Sequence, residues 1–453
     1  MCKKTEKNKS SVKRITQFEI IRSNVAGIDV SSNSGMMVSY PINETEIVIE
    51  EFECYTRDLH RLSQTLKSHH IESVAMESTG IYWVPLFLLL QDAGFEVYLV
   101  NAKHVKNVTG RKNDESDAEW IQKLHRCGLL SASFQPDNQT RELRSVVRHR
   151  DKLVKTRTTY VNRIQKSLDG MNLKIHNVIS DICGKTGQLI IKAILNGERD
   201  AQKLAQLRDP KIKTSHEELV KSLEGFWSEE HLFELEQNYS LYTYHDEMID
   251  KCDQKIEKIL QQIIKLKNNG VIPKLPKLKR KRNQNNISID VTNHLYALTK
   301  VDVASVSGIT GISEVTALGI YAEIGDNLYR FKDEKHFVSW LGLAPNTKIS
   351  GGKIISSSVP KKKHSAGQYF RLAAMGLCNS KGALGDYYRT LRNRIGYPKA
   401  IVALARKIAI IYFQLMTKKE GYNPQLIIDN QEKYKEQKIK NLEKYLSKLK
   451  NTA

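Results

Sequence analysis

No apolar run in the 453-residue sequence reaches membrane-spanning length. A long one, Val84 to Leu90, has seven residues, where a helical span needs about 20. The first residues, C-K-K-T-E-K-N-K-S from Cys2, are polar and lack the apolar core of a signal peptide. Cysteines are few and scattered (Cys2, Cys54, Cys127, Cys183, Cys252, Cys378), with no C-x-x-C pair. That argues against a zinc site or a disulfide framework and suits a reducing, bacterial-type cytoplasm. A phosphate-loop signature is also missing. G-K-T-G at Gly184 to Gly187 lacks the upstream glycine and the preceding strand, so it reads as a turn leading into a helix. Acids are in deficit, 50 against 71 Lys and Arg, for a formal charge of +21 and a pI near 9.5. A chain this basic points to a polyanionic partner, with nucleic acid on the nucleoid ahead of a membrane surface.

The length allows two or three domains. Residues 1–23 form a charged lead-in, expected to be poorly ordered. Between 24 and 130 the pattern gives strands at 25–32 (ending in a polar turn), 35–40 and 46–54, the last alternating Ile47, Ile49 and Phe52 against acids. A helix over 56–69, a strand over 73–77, a helix over 84–93, a strand over 95–100 and a helix opening near Asp114 follow. Three strands and then alternating elements predict a mixed α/β sheet flanked by helices.

The stretch R-K-N-D-E-S-D-A-E-W, Arg111 to Trp120, organises this region. Asp114 and Asp117 stand three apart before an apolar-periodic run, so a helix starting near Asp114 would set both carboxylates on one face. Alone, the pair reads more readily as an acidic helix cap. The other acids shift that balance. Asp29 ends the first strand and Glu77 the fourth, and open α/β sheets collect ligands beyond the carboxyl ends of their strands. Four carboxylates there would suit Mg²⁺, or Mn²⁺ in its place, and metals so held assist chemistry at a phosphate. Each acid by itself could equally be a turn or a solvated strand end.

This order of elements resembles the RNase H-like fold of RuvC-type nucleases. The words G-I-D-V, M-E-S-T-G-I-Y-W and V-N-A-K-H-V-K-N-V-T-G-R-K-N-D-E-S-D-A-E-W are similar to those of the DEDD insertion-sequence transposases related to the Piv DNA invertase, some of which use a bridge RNA. The family commonly has Thr where Asn113 stands. The resemblance implies catalytic, metal-holding roles for Asp29, Glu77, Asp114 and Asp117.

From 138 to 268 the chain is read as mainly helical. A long helix over 138–170 has the stripe Leu143, Val146, Val147, Leu153, Val154, Val161, Ile164 and Leu168, with basic residues including Arg144 and Arg148 on its other faces. A second, over 229–267, spaces Met248, Cys252, Ile256, Ile259, Ile263 and Leu266 by three and four. Together they predict a coiled-coil hairpin, either a bundle within one subunit or a seam between two. Residues 270–290 are a basic linker containing K-L-K-R-K-R, with Lys279 and Arg280, suited to nucleic-acid phosphates. A mainly helical C-terminal domain spans 291–418, and a charged helical tail 419–453. Val306 to Leu318 looks like a degenerate helix-hairpin-helix. G-L-A-P, then Ser350-Gly351-Gly352-Lys353, a basic loop with Lys361 and Lys362, and the spaced Gly367 and Arg371 again resemble the same transposase family.

In that family the serine of the Ser-Gly-Gly motif is the nucleophile, and the role carries over to Ser350, although Ser356 to Ser358 lie close by. Family members often have Ser where Ile349 stands. The resemblance therefore implies a DNA recombinase that links DNA to Ser350 and acts with the DEDD carboxylates in cis or across subunits. A homodimer or higher oligomer and a bridge RNA are its implied partners. Arg111, Lys112, Arg144, Arg148, Lys279, Arg280, Lys353, Lys361, Lys362 and Arg371 are the expected nucleic-acid contacts. Two other readings stay open: a hydrolytic, structure-specific nuclease that leaves free ends, and a non-catalytic nucleic-acid scaffold.

Overall fold

The computed structural model describes residues 20–30, 35–43, 46–78, 80–101, 105, 116–268, 270–275, 286–305, 307–360 and 364–425, with short pieces beyond 425. The chain divides into two compact units, Met1–Gln135 and Pro136–Ala453. The predicted lead-in (1–19 of it), K-L-K-R-K-R and about half of the tail lie outside the described residues.

In the first unit, β1 (Val25–Val30), β2 (Met36–Pro41) and β3 (Ile47–Phe52) form an antiparallel meander. After α1 (Thr56–Ser68), β4 (Ser73–Glu77) returns to lie parallel beside β1. After α2 (Trp83–Asp92), β5 (Glu96–Val100) lies parallel beside β4. The order is β3-β2-β1-β4-β5. Central β1 and β4 are buried on both faces, which explains their near-continuous apolar sequences. Edge strand β3 differs from the expected alternation. Ile47 and Ile49 are exposed, and Val48 packs toward the core on the face shared with buried Phe52, where Glu50 is bonded by Tyr40 and Arg61. The final helix, α3 (Asp117–Arg126), lies on the sheet.

The second unit is built on two long helices, α4 (Asn138–Gly170) and α8 (Glu229–Asn268). They run antiparallel: Arg150 pairs with Asp253 and, seven residues along each helix, Arg157 pairs with Asp246. Arg150 and Asp253 are both buried. Asp253 Oδ2 also accepts from the Ser288 amide (2.9 Å) and hydroxyl (3.1 Å), and Arg150 Nη2 donates to the Asn286 carbonyl (3.3 Å). The chain after the basic linker is thus sewn to the helix pair. Part of the basic face predicted for α4 is therefore internal. Arg150 and Arg157 occupy heptad steps between Leu143 and Ile164, where flanking Leu153 and Val154 are only half-buried.

At one end of the pair, α5 (Lys185–Leu195), α6 (Ala201–Gln206) and α7 (His216–Leu223) close a core around Ile164, Leu168, Ile190, Leu219 and Tyr239. Gly184 caps α5, as its sequence predicts. At the other end, Leu143, Val147 and Ile256 to Ile264 share one core with the C-terminal helices α9 (Val291–Thr299), α10 (Glu314–Ile324), α11 (Glu334–Trp340), α12 (Ser365–Gly376), α13 (Ala383–Ile395) and α14 (Tyr397–Lys418). The segments 138–268 and 291–418, separate in the sequence reading, are therefore one packed body. Helix α14 is long and apolar enough to cross a membrane, but Leu404, Ile408, Tyr412 and Met416 are packed in this core.

Truncating one partner of a buried ion pair strands the other. Asp253→Ala should cost about 3–5 kcal/mol, and pairing it with Arg150→Met should recover much of that loss. Urea unfolding of the two variants checks this. A double variant no more stable than the single one would contradict it.

Candidate active site

The parallel register sets Ile28 of β1 opposite Met76 of β4. Asp29 and Glu77 are the next residues on each strand, so both stand at the same, carboxyl edge of the sheet centre. Helix α3 brings a third carboxylate there. It lies backbone to backbone on β1: a Cβ at Gly27 would sit 2.3 Å from both the Ala118 carbonyl oxygen and the Gln122 nitrogen. Gln122 donates to the Val25 carbonyl and accepts from Ser39, both at 3.4 Å. His125, one turn on, meets Ser73 Oγ through Nε2 at 2.8 Å. From Ala118 to His125 the helix thus runs toward the strand beginnings, and its N-terminal turn opens at their carboxyl ends. Asp117 is the first residue of that turn.

The helix starts later than the sequence reading placed it. Ser116 is the cap, its hydroxyl accepting from the Glu119 amide at 3.2 Å. The expectation that Asp114 and Asp117 share one face of this helix is therefore corrected, since α3 begins at Asp117. Asp114, Arg111 and Lys112 lie outside the described residues. Among the described residues no group of three or more His, Cys, Asp or Glu side chains is placed to hold a metal ion.

His125 is the titratable group that ties α3 to the sheet. Burial, and then the Arg22 guanidinium 3.4 Å from Nδ1, pull its pKa from 6.5 down to about 4. It is neutral in the folded protein near neutral pH, which leaves one ring nitrogen free to accept.

Ser350 lies in the second unit. It ends β6 (Asn346–Ser350), which pairs antiparallel with β7 (Lys353–Ser358) in a two-stranded hairpin. The two turn residues, Gly351 and Gly352, have φ of +55° and +74°, as a type I′ turn requires. Every residue of β6 is exposed, and Lys353 stands directly opposite Ser350. Strands on either side of Ser350-Gly351-Gly352 are not among the elements expected from the sequence. The missed signal was Gly-Gly between two short runs rich in Ile, Ser and Thr, which is a hairpin pattern.

The hairpin is anchored at its root by α12. A Cβ at Gly367 would lie 2.2 Å from the Leu341 carbonyl oxygen, and Arg371, one turn later, donates through Nη2 to the Gly342 carbonyl at 2.8 Å. Leu341 and Gly342 close α11 just before G-L-A-P runs into β6. Arg371 is buried, which lowers its pKa. It therefore acts on the hairpin root, a correction to its expected place on a nucleic-acid surface. Arg144 is corrected likewise. Arg144 donates to the carbonyls of Ala322 (3.2 Å) and Glu323 (2.6 Å), and burial pulls its pKa down to about 10. Arg148 makes a bidentate pair with the Glu323 carboxylate at 2.6 and 2.8 Å. Both hold α4 to α10. Lys353 is exposed; Lys279, Arg280, Lys361 and Lys362 lie outside the described residues.

Residues 26–173 match the IS110-type family model for DEDD transposases, described as a transposase. Residues 304–388 match a second family model, described as a transposase of the IS116/IS110/IS902 family. The chain is also 22% identical over 389 residues to the transposase for insertion sequence element IS1111A of Coxiella burnetii (strain RSA 493 / Nine Mile phase I), covering 81% of this chain and 84% of the relative.

The depressed pKa of His125 makes the seat of α3 pH-dependent. Between pH 6.5 and about 4 the unfolded chain binds the proton and the folded chain does not, so stability should fall as pH drops through that window. His125→Gln should flatten that part of the profile. Urea unfolding followed by tryptophan fluorescence at several pH values reads this, and an unchanged slope in the variant would sink it.

Proposed function

The chain belongs to the IS110 family of DEDD insertion-sequence transposases, and from that premise we propose that it cuts and rejoins DNA through a phosphoserine link at Ser350. The presentation of Ser350 carries the reading. A nucleophile must reach a phosphate held in a stiff duplex, and a hydroxyl on the exposed tip of a Gly-Gly hairpin has that reach. In the step, Ser350 Oγ forms a bond to phosphorus, a P–O bond to one sugar breaks, and the departing sugar oxygen gains a proton while Oγ loses one. The bond energy is kept in the ester, so a sugar hydroxyl can reverse the step and rejoin strands without ATP.

The first unit is read as RNase H-like, of the RuvC type, and its strand order supports this. Asp29, Glu77, Asp114 and Asp117 are the carboxylates that would hold Mg²⁺ or Mn²⁺, both of which take oxygen donors. A bound Mg²⁺ would polarise the phosphate and screen the charge that builds up on it. The carboxylates' own contribution is to supply negative charge at the strand ends, and α3 orients Asp117 there. DNA is the substrate of a transposase. The further partners proposed are a bridge RNA, whose pairing with donor and target would choose sequence while the protein holds backbone and shape, and a second copy of the chain. The exposed cations, Lys353 among them, and the Lys277–Arg282 and Lys361–Lys363 runs would hold phosphates.

Ser350→Ala should abolish DNA–protein adducts resistant to SDS and leave salt-sensitive DNA binding in place. Strand exchange by that variant would remove Ser350 from the mechanism, and free cut ends without adducts would favour a hydrolytic nuclease. Asp117→Asn should slow adduct formation by at least about 100-fold and alter its dependence on Mg²⁺ concentration. Adduct formation at the parent rate with the same Mg²⁺ profile would exclude the Asp117 role.

A further inference from the structure

The hairpin that carries Ser350 has two unlike faces. Ser350 pairs with Lys353 and, one step back, Ile349 pairs with Ile354. Side chains alternate along a strand, so these two pairs project to opposite faces. The register then shifts between Lys348 and Ile349, and Ile355 is the extra residue that β7 takes there. Ile349, Ile354 and Ile355 are 64%, 66% and 69% exposed, and among the described residues no third strand joins the hairpin. A two-stranded hairpin is marginally stable by itself in water. A cluster of bare isoleucines at its tip marks a face that is covered in the working state.

Charge and reach identify the cover. From Lys335 to Gly385 the sequence has no Asp or Glu and eight Lys and Arg, with Lys348 and Lys353 on the hairpin itself. Such surroundings favour a polyanion. Neighbouring Cα atoms are about 3.8 Å apart, and nucleotides along a DNA strand rise about 3.4 Å. With Ser350 at a phosphate, Ile349 is therefore within about one base step of it. DNA grooves admit a two-stranded ribbon, and proteins that open a base step do so with apolar wedges such as isoleucine.

We infer that the hairpin enters a DNA groove beside the attacked phosphodiester, where Ile349, Ile354 and Ile355 wedge against the adjoining base step and unstack it. The unstacked strand is then free to turn its phosphate toward Ser350. This inference rests on the role of Ser350 proposed above.

The test uses the full-length protein, with the RNA that copurifies with it, and duplexes spanning one end of its own element. 2-Aminopurine, whose fluorescence rises on unstacking, is placed in turn at each position around the joining site. Ser350→Ala protein should brighten one step several-fold, since the wedge needs no chemistry. Adding Ile349→Ser, Ile354→Ser and Ile355→Ser should remove that rise without weakening salt-sensitive binding. All three residues are at the surface, and circular dichroism checks that the fold persists. With Ser350 intact, the triple variant should form adducts more slowly at saturating DNA. If adducts form on wild-type protein and no position brightens, or if brightening survives in the triple variant, the wedge is wrong. If the triple variant keeps the brightening and changes mass in sedimentation, the face belongs to a protein interface and the wedge is equally wrong. Brightening without any adduct in wild-type protein would overturn the Ser350 reading and leave the wedge standing.

Discussion

The helix that begins at Asp117 rests on the central strand at a distance that leaves no room for a methyl group. Gly27 makes that contact possible, since a side chain there would strike the backbone of Ala118 and Gln122. Close approach lets Gln122 and His125 reach polar partners on three strands, namely the Val25 carbonyl, Ser39 and Ser73. With the helix held at both ends, its first turn has one place to be, beside the strand ends that carry Asp29 and Glu77. Burial among these contacts keeps His125 neutral, and a neutral ring is what the site can accommodate next to Arg22.

The hairpin that carries Ser350 is set by a similar use of glycine, to a different end. Gly367 lets α12 press against the carbonyl that closes α11, and Arg371 takes the next carbonyl. The root of the hairpin is therefore rigid. Its tip is made by two glycines in left-handed backbone, with nothing packed on them. An anchored base and an open tip suit the nucleophilic role proposed for Ser350.

The charge of the chain is divided between two uses. Arg144, Arg150, Arg157 and Arg371 are used inside the second unit, on Asp253, Asp246 and main-chain carbonyls, and the exposed Arg148 pairs with Glu323 at its surface. They fix the long helices to each other and to the C-terminal core. Guanidinium suits this task because it stays charged and offers several donors to one carboxylate. The excess positive charge available to nucleic acid comes instead from exposed lysines and from the long acid-free stretch around the hairpin.

The strands, the long helices, the apolar stripe of α4, the basic excess and the Ser-Gly-Gly motif follow from the sequence by itself, because they depend on local periodicity and composition. Asp29 and Glu77 could be placed at strand ends on the same grounds. Asp117 could be assigned to a helix start, but the cap is Ser116, whose hydroxyl accepts from the Glu119 amide. Local pattern also could not tell a buried arginine from an exposed one. Arg150 and Arg148 are two residues apart on the same basic helix, and only the distant Asp253 and Glu323 decide what each does. Ile47 and Ile49 alternate as a buried face should, yet the edge position of β3 leaves them outside. The sequence determined which elements form and what chemistry they carry. The tertiary structure decided which carboxylates share an edge and which cations are internal, because each of these is fixed by partners tens to hundreds of residues away.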